Sequence, residues 1–147
     1  MATSTPYATS DSLAISGIQS IPFAITNNAM ASTADVVTDY VVPFSFQVLG
    51  LRYVVNAPVT TGSKAVTVIA GTGATGSNTA VPGVSLALTS ALCTPLGKIL
   101  SAPATNLGTA ATTFAGGTKI CLKATVTTSF AEGSGTFFLD LRNCDES

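Results

Sequence analysis

Thr118–Asn143 reads TKICLKATVTTSFAEGSGTFFLDLRN, and its alternation decides the fold class. Ile120, Leu122, Ala124 and Val126 fall on one side of an extended chain, opposite Cys121, Lys123, Thr125 and Thr127. After AEGSG the pattern resumes, with Phe137, Leu139 and Leu141 opposite Phe138, Asp140 and Arg142. Side chains of a strand alternate between its two faces, so each run has one apolar and one wetter side. Two such runs joined by a short Gly-rich loop predict a terminal β-hairpin.

Working outward, Val36–Val59 is the richest β-forming region, dense in Val, Phe, Tyr and Leu. Pro43 is expected to punctuate it. Gly50 is expected to permit a bulge between Phe44–Leu49, whose Phe44, Phe46 and Val48 share a face, and Leu51–Val55. Earlier, Ile21, Phe23 and Ile25 alternate across Pro22 and Ala24, which predicts an edge strand that tolerates a missing amide donor. Lys64–Ala70 gives a further strand, residues 71–83 (GTGATGSNTAVPG) read as a surface loop, and Val84–Thr89 alternates again. For Ser85–Leu92 a short helix is the alternative reading. LGKIL beyond Pro95 reads as a short strand, APATNLGTAATT (102–113) as loop, and Phe114 as a core plug. No strand–helix repeat is visible. The whole therefore predicts an all-β, single-domain β-sandwich of about eight strands.

Length and composition fit one domain with an unusual exterior. In 147 residues there are six basic and seven acidic side chains, no histidine and no tryptophan. Charged residues make up 9%, against roughly 25% in soluble domains. None lies between Lys64 and Lys98. Much of the surface must be Thr, Ser, Ala, Gly and backbone, material suited to packing against copies of the chain or another protein. Arg52, Lys64, Lys98, Lys119, Lys123 and Arg142 form no basic cluster of the kind that direct nucleic-acid binding requires. No apolar run reaches membrane-spanning length, and the first residues lack the basic and apolar parts of a secretory signal.

Residues 1–12 are small and polar, with Pro6 and no periodicity, and are expected to form an arm; residues 13–147 form the sandwich. Cys93, Cys121 and Cys144 have no metal-binding spacing, and Cys121 reads as a small buried hydrophobe. A Cys121–Cys144 disulfide is sterically allowed if the last two strands pair, though cytoplasmic synthesis disfavours it.

Several segments resemble the head-decoration, or cement, proteins of tailed bacteriophages. They are the Ser/Thr/Ala arm, ISGIQSIPFAI (15–25), VVPFSFQVLGLRYVVNAPVTTGSKAVTVIAGT (41–72) and FAGGTKICLKATVTTSFAEGSGTFFLDL (114–141). Thr118 stands where such proteins commonly carry an acidic residue after the glycine loop Ala115-Gly116-Gly117. The resemblance implies a jelly-roll-like sandwich, synthesised in the host cytoplasm and seated as a homotrimer on the outer surface of the capsid. Its partner would be the major capsid protein, gripped by arm and loops. The faces around Phe44–Leu51 and Phe137–Leu141 are where subunit contact is expected.

Catalysis is not expected, and no catalytic, cofactor-binding or metal site is assigned. No histidine exists to activate a hydroxyl, and pairing a serine with Lys64, Lys98, Lys119 or Lys123 needs a convergence that the spacing does not supply. Asp35, Asp39 and Asp140 are too few and too scattered for a calcium loop or a paired-acid site, and read as solvated or intersubunit ion-pairing carboxylates. GTGATG (71–76) lacks the Lys-Ser/Thr ending of a phosphate loop. The expected function is capsid reinforcement. The competing one is a receptor-binding or adhesive β-module on a virion or cell surface, displaying loops 71–83, 102–113 and 131–135.

Overall fold

The computed structural model describes residues 18–26, 34–59, 65–72, 79–128 and 132–144. The expected arm at 1–12, Lys64 and the centre of the 71–83 segment lie outside them. Nine strands form among the described residues: β1 (Ile18–Thr26), β2 (Ala34–Val41), β3 (Phe46–Ala57), β4 (Ala65–Thr72), β5 (Thr79–Thr89), β6 (Ile99–Pro103), β7 (Thr113–Phe114), β8 (Lys119–Thr128) and β9 (Ser134–Asn143). They make two antiparallel sheets. One runs β1-β9-β3-β6, with β7 also pairing β3; the other runs β2-β8-β4-β5. The all-β sandwich expectation holds, and the count of about eight is exceeded by the two-residue β7.

Apolar alternation explains why these sheets face each other. Phe137, Leu139 and Leu141 of β9 and Tyr53 of β3 are fully buried, as are Ile120 and Leu122 of β8 in the opposite sheet. Burying a side chain of this size contributes roughly 1.5–3 kcal/mol relative to exposure, so the two apolar faces close on each other. On β3 the phase of alternation shifts once. Phe46 and Val48 are buried, a register break follows between Val48 and Gly50, and Leu51, Tyr53 and Val55 are buried beyond it. The bulge foreseen at Gly50 thus sits inside one continuous strand. A Cβ on Gly50 would lie 2.9 Å from the Ala102 carbonyl oxygen, so glycine is what lets β6 approach.

The terminal hairpin does not form. β8 pairs β2 and β4, whereas β9 pairs β1 and β3 in the other sheet. The connection between them crosses the sandwich. Each strand's apolar face is satisfied across the core, about 10 Å away, instead of beside its chain neighbour. The Cys121–Cys144 bridge loses its premise with the hairpin, and none of Cys93, Cys121 and Cys144 is in a disulfide.

Three further expectations shift. Residues 79–83 are strand, because Thr79 and Ala80 find partners in Thr72 and Gly71. The short strand after Pro95 begins at Ile99 and extends to Pro103, into the segment read as loop. Ser85–Leu92 is not helical: β5 continues to Thr89, and only one turn follows, closed by the Cys93 amide on the Thr89 carbonyl at 2.9 Å. Pro22 does lie on an edge strand, since among the described residues β1 pairs β9 alone.

Burial pushes the Cys93 thiol up to about 11, whereas Cys144 is exposed beyond β9. A buried, protonated thiol is a poor nucleophile. In the folded protein at neutral pH, Cys144 is expected to react with a thiol-specific reagent while Cys93 and Cys121 react only on unfolding, a difference that peptide mass mapping would read. Because the folded Cys93 value lies above the unfolded one, stability should also fall as pH rises from about 9 to about 11.

Candidate functional site: the outer face of the β1-β9-β3-β6 sheet

The side chains that point away from the core on β1, β9, β3 and β6 form a single surface with a charged pair at its centre. Register places Ser20 beside Asp140, and Asp140 beside Gly50 on β3. The next rung carries Pro22, Phe138, Arg52 and Ser101. Arg52 Nε donates to Asp140 Oδ2 at 2.8 Å and Nη2 donates to Oδ1 at 2.9 Å, a two-point clamp on the carboxylate. The Ser20 hydroxyl donates to Asp140 Oδ1 at 2.6 Å, and Arg52 Nη2 also donates to the Ser20 oxygen at 3.0 Å. The guanidinium carbon lies 5.1 Å from the centre of the Phe138 ring, within cation–π range. The bond to Asp140 holds the Arg52 guanidinium above its ordinary pKa.

The cluster is a neutralised pair. Its carboxylate and guanidinium satisfy each other, and the Ser20 hydroxyl is tied to both. Bidentate geometry and the low exposure of Asp140, 17%, set it apart from a loose surface ion pair. Arg52→Met is expected to lower unfolding free energy by about 1–2 kcal/mol, because the carboxylate keeps only Ser20. Arg52→Met combined with Asp140→Leu should recover most of that loss in urea denaturation. If the double variant is as unstable as the sum of the singles, the pair is not the coupled unit described.

Beside the pair, between Arg52, Asp140, Ser101 and Pro103 and over Gly50, lies an open depression of about 230 Å³. Small-molecule sites usually enclose about 300–1,000 Å³, more than this depression holds. At one end of the face the exposed Ile18 lies beside the exposed Arg142, and at the other the exposed Ile99 pairs Val54. The opposite sheet differs. There Thr67, Ile69, Thr125, Ser85 and Ala87 occupy the outward positions along with Lys123, giving a face of hydroxyls and aliphatic groups.

Of the residues singled out in the sequence, only Asp140 enters a cluster, and its partner is Arg52 of the same chain instead of a neighbouring subunit. Asp35 and Asp39 lie on β2, Lys119 and Lys123 on β8, and Lys98 in the turn before β6. Lys98, Lys119 and Lys123 do not converge with it. Of the two expected contact segments, Phe46, Val48, Leu51, Phe137, Leu139 and Leu141 are committed to the core, leaving Leu49, Phe138 and Asp140 outward. The sequence offered no local sign of the Arg52–Asp140 pair, which joins residues 88 positions apart.

Among the described residues no group of three or more Cys, Asp or Glu side chains could hold a metal ion, and no helix is long and apolar enough to cross a membrane. No family model, curated protein or solved structure matches the chain.

Proposed function

We propose that this chain is a noncatalytic decoration, or cement, protein of a bacteriophage head, a homotrimer that binds the major capsid protein on the outer surface of the shell and reinforces it. We also take its sandwich to be a jelly roll. The observation that carries the reading is the strand order. With β7 set aside, β1-β9-β3-β6 faces β2-β8-β4-β5, and every connection except β4 to β5 passes from one sheet to the other. Double-sheet jelly rolls of eight strands are used by viral capsid domains. A charge-poor exterior adds to the support, as does the pairing of Arg52 with Asp140 at the centre of the outer face, which leaves Arg142 at its margin as the charge a partner would have to match.

Size favours several copies acting together. Four strands about 4.8 Å apart and about nine residues long span roughly 600 Å². A stable interface needs about 800 Å² per partner, so one such face attaches weakly and three linked copies attach by avidity. Purified protein added to heads stripped of decoration is expected to bind saturably as a trimer and to raise the temperature at which they rupture, by mass-action linkage. Deleting residues 1–12 should weaken attachment while the β circular-dichroism signal persists. Failure of the full chain to bind heads would reject the proposal.

Lectins share the jelly-roll architecture, and the exposed loop at 105–111 favours a second reading, an adhesive module. That loop is held in shape by Asn106 in the left-handed region (φ 56°) and by the Thr109 and Thr112 hydroxyls donating to the Asn106 carbonyl. Saturable glycan or host-cell binding without capsid attachment would support it.

A further inference from the structure

We infer that the free edge of β1 pairs with β1 of a second copy of this chain, antiparallel about a two-fold axis, so that two β1-β9-β3-β6 sheets become one. β1 takes ladder bonds from β9 on one side, and among the described residues no strand lies on the other. A long open edge is a template for another strand, and proteins blunt such edges with charge, bulges, short length or cover. The edges of β2 and β6 carry those devices, and that of β5, eleven residues without a charge, is interrupted by Pro82 and by a register break against β4. β2 contains Asp35 and Asp39 and breaks register twice; β6 has five residues ending at Pro103. At the corner where β5 meets β6, the Thr105 amide donates to the Pro82 carbonyl at 2.9 Å, joining the two sheets. β1 has nine residues, IQSIPFAIT, and not one charge. Its only blunting feature is Pro22.

Pro22 limits the pairing without forbidding it. A proline on an edge strand sits with its missing donor on the open side. Backbone alternation then puts Ser20 and Ala24 on that same side. A register centred on Pro22 sets Ser20 of one copy against Ala24 of the other, twice, and the bonds lost are those at the two prolines. Because the strand is neutral, self-pairing brings no like charges together. Joining through one strand edge buries far less than the roughly 800 Å² per partner of a stable complex, so the contact is weak in dilute solution and forms where copies are held close. It is compatible with a trimer, in which case it links one trimer to the next.

Sedimentation equilibrium of the purified full chain, in the absence of capsids, tests this separately from the proposed function. Pro22→Val restores a donor in each copy and is expected to tighten the two-fold step about tenfold. Ala24→Lys, on the exposed side of the strand, is expected to weaken it at least about tenfold by opposing like charges. Amide exchange at Ser20 and Ala24 should slow as Pro22→Val associates. The inference is overturned if Pro22→Val shows no two-fold species at the highest soluble concentration. It is equally overturned if the two variants associate alike, or if removing residues 1–17 abolishes the association, which would make the arm the occupant.

Discussion

Replacing Gly135 with alanine is expected to cost about 3 kcal/mol of folding stability, although it adds one methyl group. Gly135 is buried on β9, and a Cβ built on it would fall inside the ring of Tyr53, against Cζ and the hydroxyl. That ring cannot swing aside cheaply. Tyr53 is fully buried and packs on Phe137 with ring centres 4.7 Å apart. Moving it would strain its rotamer and open a cavity among its neighbours, and both costs fall in the range for overpacked cores. Urea denaturation should show a lowered midpoint with an unchanged slope. A loss below about 1 kcal/mol would mean that the Tyr53 ring does not lie over Gly135.

Phe137 and Phe138 are adjacent and chemically identical, yet their truncations should differ in kind. Phe137 is fully buried beside Tyr53, so Phe137→Ala is expected to destabilise by about 3–5 kcal/mol. Phe138 lies on the outer face under the Arg52 guanidinium, and Phe138→Ala should change stability by less than about 1 kcal/mol. Its expected effect is on binding. Aromatic and arginine side chains carry most of the energy in protein contacts, so attachment to phage heads should weaken about tenfold or more. Equal loss of stability in both variants would show that the outer face is part of the fold's own packing. Unchanged attachment by a folded Phe138→Ala protein would remove this face from the proposed interface.

The contrast between those phenylalanines also marks what the sequence makes legible. Alternation assigned the two faces of β9, and the core-facing Ile120, Leu122 and Ala124 of β8, while Cys121 on the other face of β8 is buried as well; Pro22 identified an edge, because these are properties of a single strand. Which strand lies beside which is set by all the faces together. Ile120 and Leu122 are satisfied equally by a core shared with a neighbouring strand or by one shared with an opposing sheet. The short Gly-rich link between β8 and β9 therefore looked like a hairpin and is a crossing between sheets. Small residues at 79–83 looked like loop for a related reason. Their strand character comes from Gly71 and Thr72 of β4, not from their own propensity.

The candidate site was less legible than the fold. Arg52 and Asp140 stood in the sequence as two scattered charges, and only the register of β3 on β9 brings them together. Ser20 joins them because β1 occupies the other side of β9. What the composition did foretell was an exterior with few charges.

Imaging of intact particles of the phage proposed to carry this protein, at a resolution that traces strands, tests the proposed role most directly. The account predicts clusters of three copies on the outside of the head, each a two-sheet sandwich with the Arg52–Asp140 face against the major capsid protein. Finding the chain inside the tail tube, or absent from the outer shell of an otherwise complete particle, would contradict it.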